Sequence, residues 1–311
     1  YDDLALPDLP GPRTITIAGE TASTGVVDLS SLTLRTVIRR DAQLEGDATR
    51  FIGAYRYDGY SLFDLLRTIV PEKAAPAEFD RAIDLIVIVE NAKGERVVIS
   101  WGEIFYPVMP HRIIIAVKAA PIIPSVTKER WPLPQATRLV FGDDLLAERF
   151  IDEPSTVRIV SRSIGVPTRK GEGPIHAEGF NVLIGGENKA LITGIDPGTP
   201  HSSYRTVFYG RGKGFHGTKD FEGAQLRSVL AGMVPLDRRT LREGFLIAVA
   251  TDGYRVSISC SELFNRSDNC EFLLIDRGDE PWGRFSIYPP MDFFSDRAVK
   301  ALSEVRYFTI E

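Results

Sequence analysis

An internal repeat constrains this chain more than any other feature of its sequence. Short stretches of the first half return in the second half in the same order. Ile15-Thr-Ile-Ala-Gly19-Glu20 is matched by Val182-Leu-Ile-Gly-Gly186-Glu187, and Arg35-Thr36-Val37 by Arg205-Thr206-Val207. Gly59-Tyr-Ser-Leu62, Leu66 and Val70-Pro71 return as Gly223-Ala-Gln-Leu226, Leu230 and Val234-Pro235. Next, Gly94, Arg96, Val97, Ile99, Ser100, Glu103 and Phe105 are mirrored by Gly253, Arg255, Val256, Ile258, Ser259, Glu262 and Phe264. Arg149 and Val157-Arg158 correspond to Arg297 and Val305-Arg306. Chance supplies one such match; an ordered series marks a duplication, with loops absorbing the changes in spacing.

Each copy has the same grammar. A strand ends in Gly-Glu, and a second strand follows at Thr36–Arg39 or Thr206–Tyr209. Leu62, Leu65, Leu66 and Ile69, and in the second copy Leu226, Val229, Leu230 and Met233, have helical spacing that stops before Pro71 or Pro235. Two strands then flank a tight turn, Asn91–Gly94 in one copy and Thr251–Gly253 in the other, where glycine supplies positive φ. Short helical pieces follow at Trp101–Tyr106 and Ser261–Asn265, then further strands. Consecutive hairpins with a few helices predict an α+β class. The first copy is expected over residues 12–163 and the second over 175–311. Between them, 164–174 forms a linker rich in Gly and Pro.

A length of 311 residues suits two domains. The formal net charge of −5 argues against a broad nucleic-acid or anionic-membrane surface. No apolar run reaches membrane-spanning length; Ile83–Val89 and Ile113–Val117 read as buried strands. The N-terminal Tyr1-Asp2-Asp3-Leu4 has neither an initiator Met nor a signal pattern, so a leader or a boundary segment is expected to be missing. Cys260 and Cys270 fit neither a CxxC redox motif nor a zinc cluster. They are either two core thiols or one disulfide, and a disulfide would require an oxidising compartment.

In this order of elements the chain resembles the molybdopterin-binding domain of sulfite-oxidase-type oxidoreductases. The residues that carry the resemblance are Ile17-Ala-Gly19, Gly59-Tyr-Ser-Leu62-Phe-Asp-Leu65-Leu66, Arg138-Leu-Val-Phe141 and Ala250-Thr-Asp252-Gly253-Tyr254-Arg255-Val256-Ser257. The resemblance implies two copies of a mixed, strand-rich α+β fold of that kind, with molybdopterin as the cofactor to consider. Metal-holding members carry a cysteine in a Thr-x-x-Cys pattern at the end of the second strand. Here those positions read Thr36-Val-Ile-Arg39 and Thr206-Val-Phe-Tyr209. Without a soft thiolate donor, Cys-ligated molybdenum is not expected.

The candidate site is the segment after that strand in copy two, where Tyr209, Arg211, Lys213, His216 and Lys219 alternate with Gly210, Gly212, Gly214 and Gly217. Glycines admit a ligand close to backbone N–H groups, and the cations suit phosphate, sulfate or carboxylate. A surface loop with solvated charges is the competing reading. The equivalent stretch of copy one interleaves Arg39, Arg40 and Arg50 with Asp41, Glu45 and Asp47, which reads as a self-neutralising surface. His111 precedes a buried strand and reads as structural; His176 and His201 have no metal-ligand spacing, so no metal site is expected. Tyr55, Tyr57 and Tyr60 suit packing, while Trp131 and Trp282 line either a pocket mouth or a core lid. The functional expectation is an extracytoplasmic, two-lobed protein that binds a small anionic or pterin-like ligand. An oxidoreductase with an altered metal site is one alternative, and a structural or redox-partner subunit is another.

Overall fold

The computed structural model describes residues 6–46, 48–169, 176–212, 214–280 and 283–310. In the first repeat lie β1 (Thr14–Gly19), β2 (Gly25–Asp28), β3 (Leu34–Glu45), β4 (Ala48–Ser61), β5 (Ile86–Asn91) and β6 (Arg96–Ser100). They are followed by β7 (Ile113–Pro121), β8 (Arg138–Phe141) and β9 (Pro154–Val160). The second repeat holds β10 (Phe180–Ile184), β11 (Glu187–Ile192), β12 (His201–Gly210), β13 (Gly214–Gln225) and β14 (Gly244–Ala250). It ends with β15 (Arg255–Ser259), β16 (Leu273–Asp276), β17 (Phe285–Tyr288) and β18 (Leu302–Thr309). The helices are α1 (Leu62–Leu66), α2 (Trp101–Phe105), α3 (Leu226–Val229), α4 (Arg238–Glu243) and α5 (Cys260–Phe264).

The α+β expectation is therefore corrected: the chain is mainly β. Among the described residues no α-helix exceeds the 6 residues of α4. The helical spacing at Leu62, Leu65 and Leu66 is real, but it lasts little more than one turn. Thr68, Ile69 and Val70 are β-branched in a row, and Pro71 pushes Val70 out of the helical region. In copy two Gly232, at φ 75°, and then Pro235 end the helical stretch in the same way.

Two compact units each carry two sheets. The first comprises Tyr1–Glu72, Val87–Val98 and Met109–Val160, and the second Lys73–Ile86, Ile99–Val108 and Ser161–Glu311. The first unit's sheets run β2-β1-β9-β5-β6 and β3-β4-β7-β8; those of the second run β11-β10-β18-β14-β15 and β12-β13-β16-β17. Every strand of the second set is the strand nine places later in the first. Directions repeat too: β1 pairs antiparallel with β2 and parallel with β9, as β10 does with β11 and β18. The two units interleave with the sequence repeats, because the second takes in two stretches of the first copy.

Burial explains which strands are central. All seven residues of β14 are buried, as a strand covered on both faces requires. In the first unit Val37, Tyr55, Tyr57, Ile114, Ala116, Ala119 and Val140 form one apolar cluster, closed by Leu9 and by the partly buried Trp131, Leu133 and Phe150. Each fully buried large side chain contributes ~1.5–3 kcal/mol. By contrast, β12 alternates between exposed and half-buried residues along its whole length.

Candidate functional site

The segment from Tyr209 to Lys219 is not an open loop. It is the tip and outgoing arm of a β-hairpin in the second unit, with Tyr209 opposite Phe215 and Gly210 opposite Gly214. Gly214 (φ 73°) makes the turn, and Gly217 (φ 98°) sits where the register slips between Val207 and Tyr209. These two glycines serve a turn and a bulge, both of which need positive φ.

The hairpin separates the predicted site residues into two groups. Arg211 donates to Asp296 Oδ2 at 2.7 Å, and its guanidinium lies 4.4 Å over the Phe294 ring. Tyr209 meets the same place, with ring centroids 5.7 Å from Phe293 and 6.0 Å from Phe294. His216 and Lys219 instead gather at Phe208: the His216 ring lies 5.4 Å away, and Lys219 Nζ lies 5.3 Å from the ring centroid. Lys213 lies outside the described residues, as does Trp282.

A cavity of about 400 Å³ opens beside the second group. Lys219, Arg277 and Lys300 bring three positive charges to its wall, and Phe208 and Phe221 bring ring faces. Asp220, Glu222 and Glu280 also line it, so its charge is close to balanced. The balance is local, however. Arg277 is engaged by Glu280 at 3.6 Å and donates to Ser286 Oγ at 2.9 Å. Among the described residues Lys219 has a ring beneath it and no carboxylate partner. Phe221 is itself pinned by stacking on Tyr288, 3.8 Å between centroids at 15°. Sequence reasoning found Lys219 but missed Phe208, Phe221, Arg277 and Lys300, which come from separate strands and turns and carry no local motif.

Beside the cavity the two copies zip differently. In the first unit β4 pairs with β7 from Tyr55↔Pro121 to Ser61↔Ile114. In the second, β13 pairs with β16 only at Ala224↔Leu274 and Gln225↔Leu273. Among the described residues, the β16-facing edge of β13 from Gly217 to Glu222 has no strand partner.

Other expectations resolve into structure. Arg39 is not part of a solvated surface: it is buried, donates to Asp41 Oδ1 at 2.6 Å and to the Phe141 carbonyl, and stacks 4.6 Å over Phe150. Tyr57 donates to the other oxygen of Asp41 at 2.7 Å, and burial raises its pKa well above the ordinary range. Arg50 lies at the surface, 3.9 Å from Glu45, and Asp47 is outside the described residues. Trp131 packs edge-on against Phe51 at 5.0 Å and donates to the Ile122 carbonyl. His201 Nδ1 lies 2.8 Å from the Thr199 carbonyl, and His176 is exposed. Cys260 and Cys270 are not joined in a disulfide; Cys260 is buried, and Cys270 is half-buried with its thiol pushed up to about 11 by burial.

Ser61, Asp64 and His111 do converge in the first unit, but not as a nucleophile relay. Ser61 is fully buried and caps α1. Its Oγ donates to Asp64 Oδ2 at 3.0 Å and lies 3.1 Å from His111 Nδ1. The same Nδ1 lies 3.5 Å from Asp64. A relay needs serine and aspartate on opposite ring nitrogens, and here one nitrogen faces both.

No protein-family model matches the chain, and no curated protein shows significant similarity to it. The mainly β fold corrects the α+β expectation, and neither that fold nor these comparisons support a molybdopterin or oxidoreductase assignment. The residues do not fit a thiolate-held metal either. Arg39 is locked to Asp41, Tyr209 sits among phenylalanines, and Cys260 begins α5. Among the described residues no three His, Cys, Asp or Glu side chains are grouped to hold a metal ion. No helix there is long and apolar enough to cross a membrane.

Proposed function

We propose that this is a binding protein whose second unit receives the anionic group of a small ligand at the Lys219 cavity. The observation that carries the reading is a lysine on a concave wall that has no carboxylate partner among the described residues, flanked by Arg277, Lys300 and two ring faces. A cavity of about 400 Å³ is of small-ligand size. Phe208 and Phe221 favour a flat or apolar body behind the anion, with ring contacts adding ~0.5–1.5 kcal/mol. Asp220 and Glu222 would repel a multiply charged anion and so favour a single negative charge. Arg211 belongs to a different contact, so the binding surface lies on the outgoing arm of the hairpin and not at its tip.

The test is calorimetric titration of wild type and Lys219→Ala with sulfate, phosphate, acetate and a pterin phosphate. A charge-assisted contact contributes ~1.5–3 kcal/mol, so the variant should bind at least about tenfold more weakly. Equal affinity of the two proteins, or no binding of any anion to wild type, would remove the proposal.

A further inference from the structure

We infer that the anion is a carboxylate carried by an extended peptide, which adds as a strand to the open edge of β13. The inference rests on the anion reading above and goes further by naming the ligand class. Its basis is the comparison within the molecule. In the first unit β7 covers the corresponding edge of β4 from Tyr55 to Ser61. In the second, β16 pairs with β13 at two positions, and among the described residues Gly217–Glu222 has no strand partner on that side. The cavity is lined by Lys219–Glu222 of that edge together with Ile275, Arg277 and Glu280, and a guest strand would enter it. An unpaired edge presents N–H and C=O groups at strand spacing, and main-chain pairing there is a general mode of peptide capture.

The side chains specify the peptide. Lys219 and Phe221 are two residues apart on a strand and share a face, as their common contact with Phe208 requires. An antiparallel guest would therefore set an apolar residue against Phe221 and, two positions later, an acidic residue against Lys219. Asp220 and Glu222 alternate with these on β13 and exclude acids from the guest's other face. The favoured sequence is thus polar–apolar–polar–acidic–polar, with neutral polar residues at alternate positions.

The experiment titrates the full chain with acetyl-Thr-Val-Thr-Glu-Thr-amide, read by calorimetry and by shifts of the β13 amide resonances. Two further peptides carry backbone N-methyl groups, one at the three Thr and one at Val and Glu. Along a strand, alternate residues point their N–H to opposite sides, so one methylated peptide should lose binding and the other should retain it. Lys219→Glu, an exposed substitution, should weaken the parent peptide at least about tenfold. Equal binding of all three peptides would overturn strand addition while leaving the anion site intact. So would sulfate or phosphate binding without peptide binding. Peptide binding indifferent to Lys219→Glu would overturn both readings, as would silence from every probe.

Discussion

At the scale of single residues, the interior is held by charges that burial would make costly if they were alone. Arg297 is fully buried and grips Asp292 with two hydrogen bonds of 2.7 Å, and it also reaches Glu262. Arg149 grips Asp144 in the same fork, at 2.7 and 2.6 Å. The Asp–x4–Arg spacing repeats, and in both copies guanidinium and carboxylate meet as a two-bond fork. His111 behaves differently. Burial, followed by the nearby Arg35 and Arg67, lowers its pKa below the ordinary 6.5, against the pull of Asp64. The folded chain therefore refuses a proton that the unfolded chain accepts just below pH 6.5. Stability should fall as pH drops through that value and flatten once the folded imidazole is itself protonated. Asp64, whose pKa is lowered below 3.8, stays ionised throughout and adds no slope there. Urea midpoints at pH 7.5 and 5.5 should differ less for His111→Gln than for wild type. An unchanged difference would show that His111 is not the group responsible.

At the scale of elements, the short helices owe their existence to their caps. Five residues form too little helix to persist alone. Ser100 Oγ accepts from the Glu103 amide at 2.9 Å to cap α2, and Ser259 Oγ accepts from the Glu262 amide at 3.0 Å to cap α5. Each serine also donates outward to the other helix: Ser100 to Glu262 at 2.7 Å and Ser259 to Glu103 at 2.9 Å. All four residues belong to the second unit, so the repeat has produced a reciprocal lock inside it. Ser100→Ala removes a cap, ~1 kcal/mol, and strands a buried carboxylate oxygen, ~1–3 kcal/mol more. Burial already raises the pKa of Glu262, and loss of this donor should raise it further. Denaturant unfolding should show both losses for Ser100→Ala and only a few tenths of a kcal/mol for Ser30→Ala, an exposed position. Comparable effects at the two sites would refute the lock. The short helical pieces and the hairpin turns were legible because they depend on residues three or four apart. The crossed hydrogen bonds were not, because they join residues far apart in sequence. The loop at Tyr209–Lys219 was misjudged for a related reason: its glycines are as apt for a turn and a bulge as for a phosphate.

At the scale of the whole molecule, the repeat was readable because matched residues occupy equivalent places in the strand order: Arg96 in β6 corresponds to Arg255 in β15, and Arg149 precedes β9 as Arg297 precedes β18. What could not be read was that spatial units and sequence repeats do not coincide. The second unit includes Lys73–Ile86 and Ile99–Val108, and these are not ornaments on it. Arg255, almost fully buried, pairs with Asp84 at 3.0 Å and Glu78 at 2.8 Å. Ser257 Oγ donates to the Leu85 carbonyl at 2.7 Å, and Phe79 packs edge-on against Tyr254 at 5.8 Å. A chain trimmed to residues 161–311 keeps β10 to β18 yet leaves the Arg255 guanidinium without either carboxylate. Removing one partner of a buried pair costs ~3–5 kcal/mol, and a domain's whole stability is ~5–15 kcal/mol. With the Ser100 hydrogen bond to Glu262 lost as well, the trimmed chain should show no cooperative thermal transition by circular dichroism. Adding residues 73–108 as a separate peptide should restore one. A sharp transition and dispersed amide resonances from the trimmed chain alone would mean that the second repeat folds without the first, and that the borrowed segments are not needed.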